Sequence, residues 1–143
     1  MSPNRVSAPD RAAKVQRLQE AVDAYTGMFC SLGDLSTGLP AQVTLLADRK
    51  PYVLVVDLPE VEGEGLILLE SMAHRFSEFL LLVRTAKMTN AMLLAAVRMG
   101  VVGFLDENSS ADEIAFAVCI LRQGQSYLSP SMSKRFVQAL QIE

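Results

Sequence analysis

The sequence predicts an α/β domain in which a parallel sheet is covered by helices on both faces. The first observation is the run Pro51-Tyr52-Val53-Leu54-Val55-Val56-Asp57, apolar, β-branched and closed by a carboxylate. Such a run reads as a strand buried on both sides. The second is that the construction recurs: Glu78–Ala86 is another apolar strand ending near the hydroxyl of Thr85, and Val101–Glu107 is a third ending on acids. The third is the helical periodicity between these runs, which makes parallel neighbours the expected arrangement. In open doubly wound sheets, ligands and chemistry gather beyond the carboxyl ends of the strands, so Asp57, Thr85 and Glu107 are candidates for one shared rim. A turn or cap aspartate is the plain alternative for Asp57.

The other elements follow in chain order. Asp10 can cap a helix whose buried stripe is Val15, Leu18, Val22 and Tyr25, with Gly27 as its stop. Met28–Leu32 reads as a short strand, and Pro40 starts a helix carrying Val43, Leu45 and Leu46 toward Pro51. Leu66, Leu69 and Met72 mark the next helix; Met92, Leu93, Ala96 and Met99 mark another that ends at Gly100. Ser110-Ala111-Asp112-Glu113 is a capping-box pattern opening a helix through Ile114, Val118 and Leu121, with Gly124 after it. Beyond Tyr127-Leu128, Ser129-Pro130 has the cap-plus-proline form of a helix start, and Met132, Phe136, Val137 and Leu140 form the stripe of an extra C-terminal helix. The methionines fall on these apolar stripes and read as core filler.

Composition limits the function classes. A chain of 143 residues that is 50% hydrophobic is long enough for one domain with a real core and too short for two typical ones. A formal charge of −3 argues against nucleic-acid binding by this chain itself, since that task needs a concentrated basic face, and Lys134-Arg135 is too small a cluster to supply one. Cys30 and Cys119 lie far apart within apolar segments, without the paired spacing of a zinc site, and read as buried, reduced thiols. The N-terminus lacks an apolar signal core and no apolar stretch is long enough to span a bilayer, so a cytoplasmic location with no membrane partner is expected. His74, the single histidine, reads as a helix-end surface residue. No histidine, thiol or glycine-rich phosphate loop accompanies the acids, which leaves a small flavodoxin-like enzyme as a weak alternative.

In order and spacing, Val55-Val56-Asp57-Leu58, Thr85-Ala86, Gly103-Phe104-Leu105 and Tyr127-Leu128-Ser129-Pro130 resemble a response-regulator receiver domain of the NarL/LuxR type, over nearly the whole chain. The resemblance implies a flavodoxin-like, five-stranded parallel sheet of order 2-1-3-4-5 over residues 1–128. Residues 129–143 would then be a C-terminal helix or the start of a linker to an absent DNA-binding output domain. It also implies that Asp57 stands at the phosphoacceptor position and Thr85 and Phe104 at the switch positions.

The departures from that pattern lie at the reaction site. Of the acid pair that holds magnesium in receivers, Asp10 is at most the survivor. Glu107 replaces the lysine that closes the last strand, and Glu60, Glu62 and Glu64 crowd the loop after Leu58-Pro59. The strand expected from Arg5-Val6-Ser7-Ala8-Pro9 offers little to bury and ends in a residue that cannot donate to a ladder.

Phosphoryl transfer onto a carboxylate builds negative charge in an anionic site and relies on a divalent cation and a fixed positive group. Two like charges about 6 Å apart interact by roughly 3 kcal/mol at an effective dielectric of 20, so Glu107 opposes the reaction. The sequence therefore predicts a receiver that signals without conventional phosphorylation. Its control would come through homodimerisation or contact with a sensor kinase or other signalling protein, at the face where Arg98, Asp106, Asp112 and Arg122 offer charges. The alternative keeps Asp57 as phosphoacceptor, with Lys87 as substitute cation. A hard-oxygen cluster of Asp57, Asp10, Glu60 and Glu107 for magnesium or calcium is a further alternative, set against a solvated acidic rim.

Overall fold

A computed structural model describes the backbone of residues 8–32, 42–46, 50–61 and 64–142, and the side chains of 12–25, 42–46, 50–58, 65–86 and 88–141. The elements run α1 (Ala8–Leu32), β1 (Gln42–Leu46), β2 (Val53–Val61), α2 (Glu64–Arg75), β3 (Leu80–Met88), α3 (Asn90–Arg98), β4 (Gly103–Asp106), α4 (Ala111–Arg122), β5 (Tyr127–Leu128) and α5 (Pro130–Ile142). Among the described residues five strands form one sheet in the order β1-β2-β3-β4-β5; β2 to β5 are parallel and β1 joins β2 antiparallel.

The α/β class, the five strands, the flanking helices and the added C-terminal helix agree with the sequence reading. The order 2-1-3-4-5 and the wholly parallel sheet do not. Only residues 47–52 lie between β1 and β2, and a parallel neighbour needs a crossover of a dozen or more residues, so the short link obliges β1 to run antiparallel. The position beside the Asp57 strand is thus taken by a strand returning on itself.

Two further expectations are corrected. Met28–Leu32, expected as a strand, is the last part of α1, which runs through Gly27; one interior glycine costs about 1 kcal/mol and does not stop a 25-residue helix. Val43, Leu45 and Leu46, expected on a helix, lie in β1, whose exposure alternates with Val43 and Leu45 inside. That period of two, with β-branched Val43 and Thr44, outweighs the helix-start signal of Pro40, which lies outside the described residues. Arg5–Ser7 of the expected first strand are also outside them, and Ala8 and Pro9 belong to α1.

The sheet separates two cores. On one face Leu54, Val56, Leu58, Leu81, Val83 and Phe104 meet Val22 of α1, Leu68, Leu69 and Met72 of α2, Leu93 and Ala96 of α3 and Met132 of α5. On the other, Val53, Val55, Leu82 and Leu105 meet Ala117 and Leu121 of α4. β4 comes close to α4 because it starts with glycine: a Cβ on Gly103 would stand 2.5 Å from Leu82 Cδ1 and 3.2 Å from Leu121 Cδ1.

The end signals of α3 and α4 follow the sequence, whereas Asp10, expected to cap the first helix, lies inside α1, which already begins at Ala8. Glu113 N–H donates to Ser110 Oγ at 3.1 Å, opening α4, and Gly100 and Gly124 take φ of 103° and 85° just past the ends of α3 and α4. Met72 and Met132 are buried, as their place on the stripes implies, and so is Met88 at the end of β3. Cys119 is exposed rather than buried, because the sheet-facing stripe of α4 is Ile114, Ala117, Val118 and Leu121. The Cys30 side chain lies outside the described residues. Among the described residues no helix is long and apolar enough to cross a membrane.

Candidate functional site

Asp57 lies in the middle of β2. That nine-residue strand continues through Leu58, Pro59 and Glu60 to Val61, and β3 likewise runs past Thr85 to Met88. The sequence placed Asp57 and Thr85 at strand exits; the ladder extends beyond both, because Leu58 pairs with Thr85, Glu60 with Lys87 and Val61 with Met88. Only Glu107 stands just past a strand end, exposed after Asp106 closes β4.

Pairing decides what Asp57 meets. Its register partner on β3 is Arg84 and on β1 is Gln42, while Arg84 is matched on β4 by Leu105. Arg84 Nε donates to Asp57 Oδ1 in a close ion pair, the two side chains 28% and 24% exposed. A charge-assisted bond at that exposure lies between a free surface pair and a buried one, and we assign it about 1–2 kcal/mol. In a double-mutant cycle with Asp57→Asn and Arg84→Met, the urea unfolding free energies are expected to show a coupling of about 1 kcal/mol; additivity would mean that the pair holds nothing.

Alternation separates the remaining candidates. Thr85 is 1% exposed and follows Leu81 and Val83 onto the face of α2, α3 and α5, whereas Asp57 follows Val53 and Val55 onto the α4 face. Asp57 and Thr85 therefore do not converge. Phe104 is 1% exposed and belongs to the core of Thr85's face. Asp106, opposite Thr85 in register, accepts a hydrogen bond from Ser131 Oγ of α5 at 2.7 Å. Arg135 Nη1, also of α5, donates to Met88 O at 2.6 Å, so the last helix lies across the carboxyl ends of β3 and β4.

The side chains of Asp10, Glu60 and Lys87 lie outside the described residues. In the backbone, Asp10 belongs to the first turns of α1, and Lys87 stands opposite Glu60, three positions beyond Arg84, about 10 Å further along the strand. Arg84 is the residue that sequence reasoning missed. Its signal was present: a charge immediately before Thr85 in an otherwise apolar strand, which falls beside Asp57 once the two strands are set in parallel register.

The described residues do not fit a magnesium site. Magnesium takes oxygen ligands in octahedral geometry; here Asp57 Oδ1 is taken by a guanidinium, and among the described residues no group of three or more His, Cys, Asp or Glu is placed to hold a metal. Elsewhere, Tyr127 OH donates to Glu113 at 2.9 Å, and burial first, then that carboxylate, holds the phenol above its ordinary pKa. His74 is exposed in the last turn of α2, as expected, beside an open hollow of about 470 Å³ lined with Glu70, Ala73, Ser77 and Met99.

No protein-family model matches the chain. It is similar to the oxygen regulatory protein NreC of Staphylococcus epidermidis, with 29% identity over 101 residues, covering 67% of this chain and 46% of NreC. It is also similar to the photosynthetic apparatus regulatory protein RegA of Rhodobacter capsulatus, with 28% identity over 97 residues, covering 68% of this chain and 52% of RegA. The chain thus spans about half the length of these curated relatives.

Among solved structures, a LuxR-family two-component response regulator from Aurantimonas sp. SI85-9A1 superposes with a TM-score of 0.50 at 21% identity, over 62% of this chain and 63% of that one. The Salmonella typhimurium response regulator RcsB gives 0.50 at 19%, over 58% of this chain and 44% of that one. The chain is thus similar in sequence to the regulatory proteins NreC and RegA and similar in fold to solved response regulators, one of them of the LuxR family.

Proposed function

We propose that the chain is an atypical receiver-type signalling domain of a two-component-type transcription regulator, working through protein–protein contact rather than conventional phosphorylation of Asp57. The observation that carries this is the Asp57–Arg84 pair in mid-sheet. A nucleophilic carboxylate must present a free oxygen to the phosphoryl group, with a metal and a cation arranged around the developing charge. Here one carboxylate oxygen is bound to the neighbouring strand, Thr85 faces the other side of the sheet, and Glu107 adds charge of the wrong sign at the end of β4.

Signalling then falls to surfaces. The sheet puts α3 and α4 on opposite faces and sets β4 between β3 and β5, so Arg98 of α3 and the charges of α4 do not share one surface; α4 by itself exposes Asp112 and Phe116, the latter edge-on to Tyr127 of β5, and a large side chain on a charged face can anchor a protein contact. A homodimer, a sensor kinase or another signalling protein fits that face. Any DNA contact would belong to an output domain outside these residues, since the chain is acidic. The cytoplasm is the compartment such a role requires.

Intact mass after incubation with acetyl phosphate and magnesium tests the proposal, with the native chain compared to Asp57→Asn. The expected outcome is no adduct on either folded protein, and an oligomeric state that the substitution leaves unchanged. A phosphoryl adduct on the native chain alone would overturn it in favour of a second reading, in which Arg84 supplies the positive charge that the sequence reading assigned to Lys87. Arg84→Met should then abolish the adduct.

A further inference from the structure

Among the described residues, the β1 edge of the sheet is closed by one side chain. β1 is an outermost strand, and Gln19 of α1 reaches it with both ends of its amide: Gln19 Nε2 donates to Val43 O at 3.0 Å, and Leu45 N–H donates to Gln19 Oε1 at 2.6 Å. One amide thereby takes an acceptor and a donor two residues apart, the pair of groups that one residue of a neighbouring parallel strand would use. Leu18 and Val22 of the same helix pack on the face of the sheet, so α1 lies over the face while, among the described side chains of α1, Gln19 extends to the edge. Asp23 Oδ1 accepts a further hydrogen bond from Gln19 Nε2 at 2.8 Å and steadies the amide.

The strand behind this guard has none of its own. Gln42-Val43-Thr44-Leu45-Leu46 carries no charge and no proline, the devices that ordinarily keep an edge from pairing. Because Val43 C=O and Leu45 N–H turn outward to Gln19, Val43 N–H and Leu45 C=O turn outward as well. That pattern is self-complementary. A two-fold axis at Thr44 sets Val43 of one copy opposite Leu45 of the other, and each of the two pairs exchanges two N–H···O bonds, four in place of the two that Gln19 makes. The same operation keeps Val43 and Leu45 on the α1 face of both sheets, so no apolar side chain is turned out.

We infer that β1 is a gated pairing edge: Gln19 holds it closed, and when the amide withdraws the edge takes up β1 of a second copy in antiparallel register, giving a sheet continuous through both. This contact is separate from the exposed surface of α4, at the other end of the sheet, and independent of the chemistry of Asp57.

Sedimentation velocity across a concentration series tests it, with the full chain, Gln19→Met, which keeps the apolar stem and helix propensity but removes the amide, and Gln19→Met/Thr44→Lys. Gln19→Met is expected to associate one step beyond the wild-type chain, with affinity tighter by about tenfold or more for the two hydrogen bonds removed from the closed state. The double variant should return to wild-type behaviour, because Thr44 faces Thr44 across the axis and two lysines there repel. A folded Gln19→Met chain that sediments as wild type would overturn the inference, as would association that survives Thr44→Lys. If Gln19→Met loses its far-ultraviolet dichroism, Gln19→Glu serves in its place: it keeps the acceptor for Leu45 and loses the donor to Val43, and should open the edge in part; a wild-type sedimentation profile for it would count against the gate.

Discussion

Removal of residues 130–143 is expected to lower the unfolding free energy by about 4 kcal/mol. Met132 and Ala139 are buried and Phe136 is half-buried against the core beneath α3 and β4. At about 1.5–3 kcal/mol for a fully buried large apolar side chain, Met132 accounts for about half of the loss, and Phe136 with Ala139 for most of the rest. Two contacts that span elements go with the helix: Ser131 to Asp106 and Arg135 to Met88 O. Urea denaturation of the truncated and full-length chains measures the difference. A loss below about 1 kcal/mol would make α5 an appended linker, which is how a boundary at residue 128 treats it.

Phe104→Ala is expected to cost about 3–5 kcal/mol, the range for deleting a buried aromatic. The receiver resemblance gives this position to a switching aromatic, a side chain that must change place at modest cost. In this chain Phe104 is among the largest fully buried side chains, within the same cluster as Leu54, Val83, Leu93 and Met132, and Ser129 N–H donates to its carbonyl at 3.0 Å. Phe104→Leu should lose much less, since most of the volume is kept. If Phe104→Ala unfolds at nearly the wild-type urea midpoint, the ring is not fixed in the core and a switching role regains support.

Both expectations bear on the same point: the carboxyl ends of β3 and β4, where a receiver would present its reaction site, are occupied by structure. α5 lies across them, Thr85 is buried beneath the sheet, and the strands extend past Asp57. Asp57 has thereby moved from a rim to a sheet face, where the neighbouring strand supplies its partner. Local sequence did not reveal this because Pro59 and the glutamates after Asp57 read as a loop. β2 keeps its ladder through Pro59 since Leu58, Glu60 and Val61 retain register partners on β3, and pairing with a long neighbour outweighs the turn propensity of the residues concerned.

The elements legible in the sequence were those with a strong local signal: the apolar runs of β2, β3 and β4, the stripes of α2 to α5, the Ser110–Glu113 box and the glycines after α3 and α4. A 3.6-residue period, a cap or a continuous apolar run is a local property, and chain-distant contacts seldom reverse it when it is strong. Direction, register and face came instead from long-range packing. β1 runs antiparallel because its link to β2 is short, Arg84 meets Asp57 because β3 pairs with β2 one position before Thr85, and Gln19 reaches Val43 and Leu45 across the sheet edge. Each of these relates residues more than 20 positions apart in the chain or depends on which strand lies beside which, and a slip of one residue would turn Asp57 to the other face and give it another neighbour.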